Sequence, residues 1–367
     1  LCWHLPKYQK GVRKMTPKVS IIMPSLNVGK YIRKCIRSVQ DQTLKNIEII
    51  CVDAGSNDGT LEILKEYAAS DKRIRIIHSK RKSYGYQMNL GLEAASGEYI
   101  GIIETDDFAD RGMFEKLYET ARCEDLDVVK SDFWFYYSKQ KQKNVLFKLP
   151  RIYVKWGVFC PSEIENLQDQ SEFFNIKPSI WSAIYRRSFL ESNGIRFNET
   201  PGASYQDSSF NFKVWACAGK VRLISEAFLH YRQDNEQSSV NSPAKAYCVC
   251  DEYAEINRFI NDRFEGLPVR QRMLRAIMTR MKYDSYLWNY FRLAEPLNDE
   301  FIMKVSEELG ADKQKGYADK EYFPVYKWTF YNMWIDDPQG FLRELKVQQK
   351  KTFFSRVIGK FERLLKA

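Results

Sequence analysis

Short apolar segments alternate with amphipathic segments along the N-terminal part of the chain. Residues 19–23 form a β-branched apolar run that ends at Pro24, and residues 28–40 carry apolar side chains at helical spacing. The predicted strands are residues 19–23, 47–52, 73–77 and 99–103, and the predicted helices are residues 28–40, 60–69 and 84–95. Strands and helices that alternate in this way predict an α/β fold, with a mostly parallel sheet flanked by helices.

The pattern changes farther along the chain. Residues 138–178 contain a basic run and few apolar repeats, which indicates an inserted loop region that reaches over the site. The next predicted elements are helices at residues 180–191 and 207–217, a strand at residues 221–231, and long helices at residues 247–263 and 270–291. We therefore predict an extension over residues 1–16, an α/β domain over residues 17–242 that ends near Ser242, and an α-helical region over residues 243–367.

The composition favours a folded protein in a reducing compartment. A hydrophobic content of 44% and an aromatic content of 14% exclude an intrinsically disordered chain. The eight cysteines are scattered without a C-x-x-C pair, which is typical of buried thiols. No apolar run approaches the roughly 18 residues of a membrane span, and residues 1–20 lack the apolar centre of a secretory signal. We therefore expect a cytoplasmic location.

The formal charge of +10 indicates an anionic partner. Residues 350–367 contribute to it, because their Phe, Val, Ile and Leu residues fall on one helical face and their Lys and Arg residues fill the rest. Such a basic amphipathic helix suits attachment to an anionic membrane surface, at the inner face of the cell membrane. It equally suits packing of the apolar face on the rest of the protein. Nucleic acid is not an expected partner, since no recognition motif accompanies the charge.

Residues 104–107 are the strongest single signal for chemistry. They read Glu-Thr-Asp-Asp directly after the predicted strand at residues 99–103. In parallel sheets ligands bind beyond the carboxyl ends of the strands, and carboxylates gathered there are typical ligands of Mn²⁺ or Mg²⁺. Such an ion would neutralise charge on a departing diphosphate. The alternative is an acidic turn that caps the helix beginning near Arg111.

The segment from Asp53 to Gly59 is open to two interpretations as well. The acidic residue and the small residues after it would let a nucleotide lie against the backbone, but the same letters form an ordinary turn that leads into a helix at Thr60. Neither a G-x-G-x-x-G motif nor a P-loop follows the first strand, which argues against dinucleotide dehydrogenases and ATPases.

Taken together, these motifs resemble the family 2 glycosyltransferases, which are inverting enzymes with the GT-A fold. The resemblance rests on four motifs in the family's order, which are Pro24-Ser25-Leu26-Asn27, Asp53-Ala54-Gly55-Ser56-Asn57-Asp58-Gly59, Gly85 with Asn89 and Gly91, and Glu104-Thr105-Asp106. It continues to about Asn241. The nucleotide-binding residues that the resemblance implies are Pro24, Ser25, Asn27, Asp53, Ser56, Lys82, Gly85, Asn89, Thr105 and Arg232.

The resemblance also implies roles in catalysis. Asp207, in the pair Gln206-Asp207 at a predicted helix start, corresponds to the family's catalytic base, whereas the structural alternative is a plain helix cap. Trp181 and Gln206 are implied on the acceptor side. The implied metal ligands are Glu104, Asp106, Asp107 and His230. Three residues depart from the family pattern. Glu104 stands where Asp is usual, Gln206 stands where Glu is usual, and Met88 stands where relatives often have Arg. Lys82 or Arg232 would then supply the phosphate contact of that Arg.

The expected function is transfer of a sugar from a nucleotide diphosphate sugar, with UDP the expected nucleotide, to a hydroxyl of a glycan or lipid-linked acceptor in cell-surface polysaccharide synthesis. Inversion needs one carboxylate as a base and a stabilised leaving group, but no protein nucleophile. The alternatives are a sugar nucleotidyltransferase and a catalytically inactive GT-A binding module. The first would require a Gly-rich phosphate loop that Pro24 to Asn27 do not provide, and the second would be consistent with the departures at Glu104 and Gln206.

Overall fold

A mixed sheet organises the N-terminal two thirds of the protein. The computed structural model describes residues 16–139, 142–163, 171–235 and 245–348. Within them the strand order is β3-β2-β1-β4-β9-β6-β10-β5, with β7 on β6 and β8 on β10. The strands are β1 (Val19–Ser25), β2 (Ile47–Asp53), β3 (Ile74–His78), β4 (Tyr99–Ile102), β5 (Phe108–Ala109), β6 (Val128–Tyr137), β7 (Lys143–Phe147), β8 (Val158–Phe159), β9 (Ala183–Arg186) and β10 (Val221–Arg232).

Helices cover the sheet and form the C-terminal region. They are α1 (Gly29–Gln40), α2 (Thr60–Ser70), α3 (Tyr84–Ala94), α4 (Met113–Cys123), α5 (Arg151–Lys155), α6 (Arg187–Ser192), α7 (Gln206–Cys217), α8 (Cys248–Arg263), α9 (Pro268–Arg292), α10 (Leu297–Gln314) and α11 (Val325–Asp336). Residues 338–348 are also helical. None of the helices described is both long enough and apolar enough to cross a bilayer.

The parallel half of the sheet places the site. β1 pairs in parallel with β2 on one side and β4 on the other, and all seven of its residues are buried. A strand buried on both faces explains the continuous apolar run in its sequence. Because the carboxyl ends of these strands meet at one edge of the sheet, the loops after β1, β2 and β4 come together there.

The predictions for residues 138–191 were partly wrong. The supposed loop region contains β7, α5 and β8. The supposed helix at residues 180–191 consists of a 3₁₀ turn at Ile180–Ser182, strand β9 and the short helix α6. β9 lies antiparallel between β4 and β6. Because Ala183 to Tyr185 are buried with no polar residue between them, the strand lacks the alternation that would distinguish it from a helix.

The remaining predictions on architecture fare differently. The α-helical C-terminal region is confirmed by α8 to α11, but the boundary near Ser242 lies in residues 236–244, outside the described residues, and stays a prediction. The cysteines are only partly as expected, since Cys35 and Cys51 are buried whereas Cys123 is exposed.

A buried carboxyl group connects the helical region to the sheet domain. Glu252 of α8 is fully buried, and it accepts hydrogen bonds from the Ser209 hydroxyl of α7 and from Asn198 Nδ2 at 3.1 Å. Burial raises the pKa of Glu252 to about 8, although both hydrogen bonds act in the opposite direction. Burial therefore favours the neutral form of Glu252 in the folded protein.

This raised pKa makes stability depend on pH. The unfolded chain ionises Glu252 near its ordinary pKa of about 4.3, so the stabilising contribution of the neutral group is complete below that value and is lost as pH rises towards 8. We expect Glu252→Gln, which stays neutral, to flatten the fall in Tm between pH 5 and pH 8. Exposed Glu265→Gln is the matched control. A variant profile parallel to that of the wild type in differential scanning fluorimetry would contradict the assignment.

Candidate active site

A cavity of about 590 Å³ opens at the carboxyl ends of the parallel strands. Its walls come from the loops after β1 and β4, the segment before β9, the start of α7, and the helix α9. The predicted site residues that line it are Pro24, Ser25, Lys82, Glu104, Thr105, Asp106, Trp181, Gln206 and Asp207.

Hydrogen bonds to strand-end carbonyls fix the floor of this cavity. The amide of Gln87 on α3 donates to Ser25 O at 3.0 Å and to Val52 O at 2.7 Å, so one side chain holds the ends of β1 and β2 together. The Thr105 hydroxyl donates to Pro24 O at 2.7 Å. Pro24, Ser25 and Thr105 are therefore held in a rigid arrangement along the cavity.

Three residues predicted to bind the nucleotide shape the loops instead of lining the cavity. The carboxylate of buried Asp53 accepts from Gly55 N, Ser56 N and Ser56 Oγ at 2.9, 3.1 and 2.6 Å. Asn27 has a left-handed backbone, with φ of 54°, and it joins the two loops by accepting from Asn57 N and donating its own N–H to Ser56 Oγ. A nucleotide contact by Asn27, Asp53 or Ser56 stays a prediction.

Gly85 and Asn89, also predicted to bind the nucleotide, pack α3 against residues 197–199. Asn89 Nδ2 donates to Phe197 O at 2.9 Å, and Asn89 Oδ1 accepts from Phe197 N at 2.9 Å. A Cβ at Gly85 would stand 1.8 Å from Asn198 O. The absence of a side chain at Gly85 is therefore required by the neighbouring backbone.

Two carboxylates of the loop after β4 face the cavity. Glu104 Oε1 accepts from the Tyr84 hydroxyl at 2.5 Å, and Asp106 Oδ2 accepts from Asn235 Nδ2 at 2.8 Å. Burial raises the pKa of Glu104 to about 8, and the charges of Asp106 and Asp207 act in the same direction, while the hydrogen bond from Tyr84 opposes them. This part of the cavity would therefore favour a bound cation.

The four predicted metal ligands are not brought together. Asp107 is buried and accepts from Arg232 N at 2.7 Å. The ring nitrogens of His230 lie 3.3 Å from Asn144 Oδ1 and 3.1 Å from Asp110 Oδ1, outside the cavity lining. Over the described residues, no group of three or more His, Cys, Asp or Glu side chains could hold a metal. Metal binding by all four residues stays a prediction.

Glu104 and Asp106 remain, and this pair fits one kind of metal site. Mg²⁺ is commonly bound through one or two carboxylates together with substrate phosphates. Arg232 stabilises the loop from behind, since its Nε donates to Asp106 O at 2.9 Å and its guanidinium lies 4.5 Å from the Tyr31 ring centroid. A phosphate contact by Arg232 stays a prediction, because it does not line the cavity.

Asp207 lies in the first turn of α7 and faces the cavity. The helix begins at Gln206, and its N-cap residue is Tyr205, which makes no side-chain cap hydrogen bond, so Asp207 is not the N-cap residue. Burial raises the pKa of Asp207, while the charge of Lys177 and the N–H of Ser208 oppose the shift. The carboxylate is consequently more basic than an exposed Asp.

The predicted acceptor residues Gln206 and Trp181 lie in the wall of the same cavity as Asp207. Gln206 accepts from Ser204 N at 2.5 Å and donates to Thr200 Oγ1 at 2.9 Å, which fixes the loop before α7. Trp181 is 6% exposed and packs edge-to-face on Phe133, with ring centroids 4.7 Å apart. Both side chains are held by the fold, and an acceptor contact stays a prediction.

Sequence reasoning missed several cavity residues. Tyr84, Lys177 and Asn235 and the α9 residues Ser285, Trp288 and Arg292 all line it. Beneath this wall, buried Lys130 donates to Ser179 O, and burial together with the Lys177 charge lowers its pKa to about 7. A lysine inside the apolar strand β6 is a signal that the sequence does offer, since unpaired charges are rarely buried.

Comparisons with known proteins agree with this fold. The family model described as glycosyl transferase family 2 matches residues 20–193. The chain is 35% identical over 231 residues to the uncharacterized glycosyltransferase EpsJ of Bacillus subtilis. The aligned region covers 63% of this chain and 65% of EpsJ. It is 32% identical over 227 residues to the glycosyltransferase GlyG of Streptococcus pneumoniae. That aligned region covers 60% of this chain and 72% of GlyG.

The site and these matches define a glycosyltransferase-type protein. More particularly, the chain belongs to glycosyl transferase family 2, as its motifs predicted. It spans less than two thirds of the length of EpsJ.

A solved structure confirms the GT-A fold. The crystal structure of S. aureus TarS 1-349 superimposes with a TM-score of 0.68 and 16% identity, covering 91% of this chain and 92% of that one. The same protein in complex with UDP-GlcNAc gives a TM-score of 0.67 and 17% identity, with the same coverage. The predicted basic helix at residues 350–367 lies outside the described residues, and membrane attachment stays a prediction from the sequence.

The packing of Gly85 gives a test of its role. We expect Gly85→Ala to lower the free energy of unfolding by about 1–3 kcal/mol, because the added methyl group overlaps Asn198 O. Gly112→Ala is the matched control, since its φ is −89° and nothing lies within 4 Å of the added Cβ. Equal urea-unfolding curves for Gly85→Ala and the wild type would contradict this packing role.

Proposed function

We propose that this protein transfers a sugar, with inversion, from a UDP-sugar to a hydroxyl of a glycan or lipid-linked acceptor in cell-surface polysaccharide synthesis. The observation that carries the proposal is that Asp207 and the pair Glu104 and Asp106 face one cavity. Inverting displacement needs a base at one end and a stabilised leaving group at the other. Membership of family 2 favours sugar transfer over the nucleotidyltransferase alternative.

The donor would lie along the loops after β1 and β4. Pro24, Ser25 and Thr105 offer a fixed surface for the nucleotide, and Lys82 brings a positive charge towards the diphosphate. A UDP-sugar is supported by the TarS 1-349 complex with UDP-GlcNAc, whose fold this chain shares.

Glu104 and Asp106 would hold Mn²⁺ or Mg²⁺ against the diphosphate. The ion would supply charge neutralisation for the departing nucleoside diphosphate. The chain's own part is to keep both carboxylates oriented, through the hydrogen bonds from Tyr84 and Asn235. Ionised Glu104 and Asp106 repel each other, which the metal would relieve.

Asp207 would accept the proton of the acceptor hydroxyl as that oxygen attacks the sugar carbon. The raised pKa suits the role, since a general base works best when its pKa approaches the working pH. The N–H of Ser208 opposes this shift and favours the ionised carboxylate that a base needs.

The metal assignment is tested by nucleotide affinity. UDP binding is expected to strengthen with Mn²⁺, and Asp106→Asn is expected to abolish this gain because one carboxylate ligand is lost. Asp110→Asn is the matched control, since Asp110 follows the short strand β5 directly and does not line the cavity. Isothermal titration calorimetry in EDTA and in Mn²⁺ gives both affinities. Wild-type protein that binds UDP equally in the two buffers would refute metal-assisted binding.

Asp207→Asn tests the base and, with it, catalytic activity. The change should leave UDP affinity unaltered and lower transfer by about 10²–10⁴-fold, because an amide cannot accept the hydroxyl proton. Asp251→Asn, which removes an exposed carboxylate from the first turn of α8, is the control for the helix terminus. Single-turnover transfer from radiolabelled UDP-sugars to cell-envelope glycans measures the rate. Transfer by Asp207→Asn at the wild-type rate would place the base elsewhere, and wild-type protein that binds UDP without transfer would favour an inactive module.

A further inference from the structure

The cavity has a wall that the proposed roles do not use. Helix α9 contributes Ser285, Trp288 and Arg292 to it, and Lys245 lies beside them. Trp288 lines the cavity, and 51% of its surface is exposed. Its ring meets the ring of Tyr205 edge-to-face, with centroids 5.7 Å apart at an interplanar angle of 84°. A large apolar side chain is thus presented to solvent at the mouth of the cavity.

Trp288 is held in register with the proposed base. Asn289, the next residue, is fully buried, accepts from the Tyr205 hydroxyl at 2.8 Å and donates to Ala246 O at 2.8 Å. Tyr205 has a left-handed backbone, with φ of 60°, and directly precedes α7, which carries Asp207. The contacts of Tyr205 therefore fix α9 against the segment that positions Asp207.

An exposed indole at this place suits a sugar ring. The flat apolar face can cover the C–H groups of a pyranose, while the ring N–H can donate to a hydroxyl in the plane. Binding sites for small polar ligands typically combine such an aromatic surface with a few placed polar groups. Trp181, the other tryptophan of the cavity wall, is 6% exposed and offers far less of its face.

The charges around Trp288 indicate what the sugar carries. The cations Lys177, Lys245 and Arg292 line the same cavity, and Arg292 donates to Lys245 O at 3.4 Å. Among the described residues, the carboxylates in the lining are Glu104, Asp106 and Asp207, to which the proposed function gives other roles. Lys245 Nζ donates to Ala203 O at 2.5 Å, and an ammonium group has three donors. The acceptor side is therefore positive.

We propose that Trp288, with Lys177, Lys245 and Arg292, forms an acceptor subsite for a carbohydrate that bears an anionic group, a phosphate or a carboxylate. The aromatic ring binds the sugar, and the cations bind the anion and disfavour neutral acceptors. This inference rests on the proposed function, because an acceptor is meaningful only for a transferase. It adds the chemical class of the acceptor and a contribution from the helical region.

The subsite is tested with the full chain on an array of neutral, phosphorylated and carboxylated oligosaccharides, in the presence of UDP and Mn²⁺. The wild type is expected to prefer the anionic glycans. Trp288→Ala should weaken their binding by about tenfold or more, and Trp288→Phe should retain most of it. Phe291→Ala is the matched control, since Phe291 is 53% exposed on the same helix but does not line the cavity. Unchanged glycan binding by Trp288→Ala would overturn the aromatic part.

The charge is tested separately with Lys245→Gln. This variant is expected to reduce the ratio of anionic to neutral glycan binding, while Lys304→Gln, an exposed lysine of α10 outside the lining, leaves the ratio unchanged. Whether phosphorylated or carboxylated glycans lose more shows which anion is bound. Wild-type protein that binds neutral glycans as strongly as anionic ones would overturn the anionic class. UDP affinity is measured for every variant, and a wild type that does not bind UDP refutes the proposed function, on which the subsite depends.

Discussion

Repulsion among carboxylates that share one half-buried cavity governs the site. Glu104, Asp106 and Asp207 face the same space, and their charges act on one another there. Burial raises the pKa of Glu104 and of Asp207, so ionising both needs compensation. In the proposed function a metal compensates the charge of Glu104, while Lys177 and the start of α7 compensate the charge of Asp207. A charge conflict of this kind is unfavourable for stability and is therefore expected at functional sites.

The rest of the fold keeps these carboxylates in place. Gln87 holds two strand ends together, and Thr105 ties the acidic loop to Pro24. Asp53 and Asn27, whose nucleotide contact stays a prediction, form the paired loops beside them. Much of the motif thus forms the scaffold, and a smaller part of it faces the cavity.

The sequence predicted the parallel half of the fold, and several residues that line the cavity, for physical reasons. Buried parallel strands read as apolar runs, and the loops after them carry Pro24, Glu104 and Asp106, which all line the cavity. Prediction from the sequence was weaker where one stretch of residues is consistent with two local structures. Asp107 follows Asp106 directly, yet Asp107 turns into the protein to accept from Arg232 N. Strand β9 was not predicted, because a strand that is buried on both faces lacks the alternation of apolar and polar residues that identifies a strand.

The sequence could not predict that α9 lines the cavity, for a different reason. Trp288 and Tyr290 lie two positions apart in one aromatic helix, and only tertiary packing leaves the first 51% exposed and the second fully buried. The bond from Tyr205 to Asn289 then connects that packing to the segment that positions Asp207. Because Tyr205 adopts a left-handed backbone just before α7, a shift of α9 would disturb the start of that helix. The helical region and the sheet are therefore one structural unit at the site, which agrees with the 91% of this chain that TarS 1-349 matches.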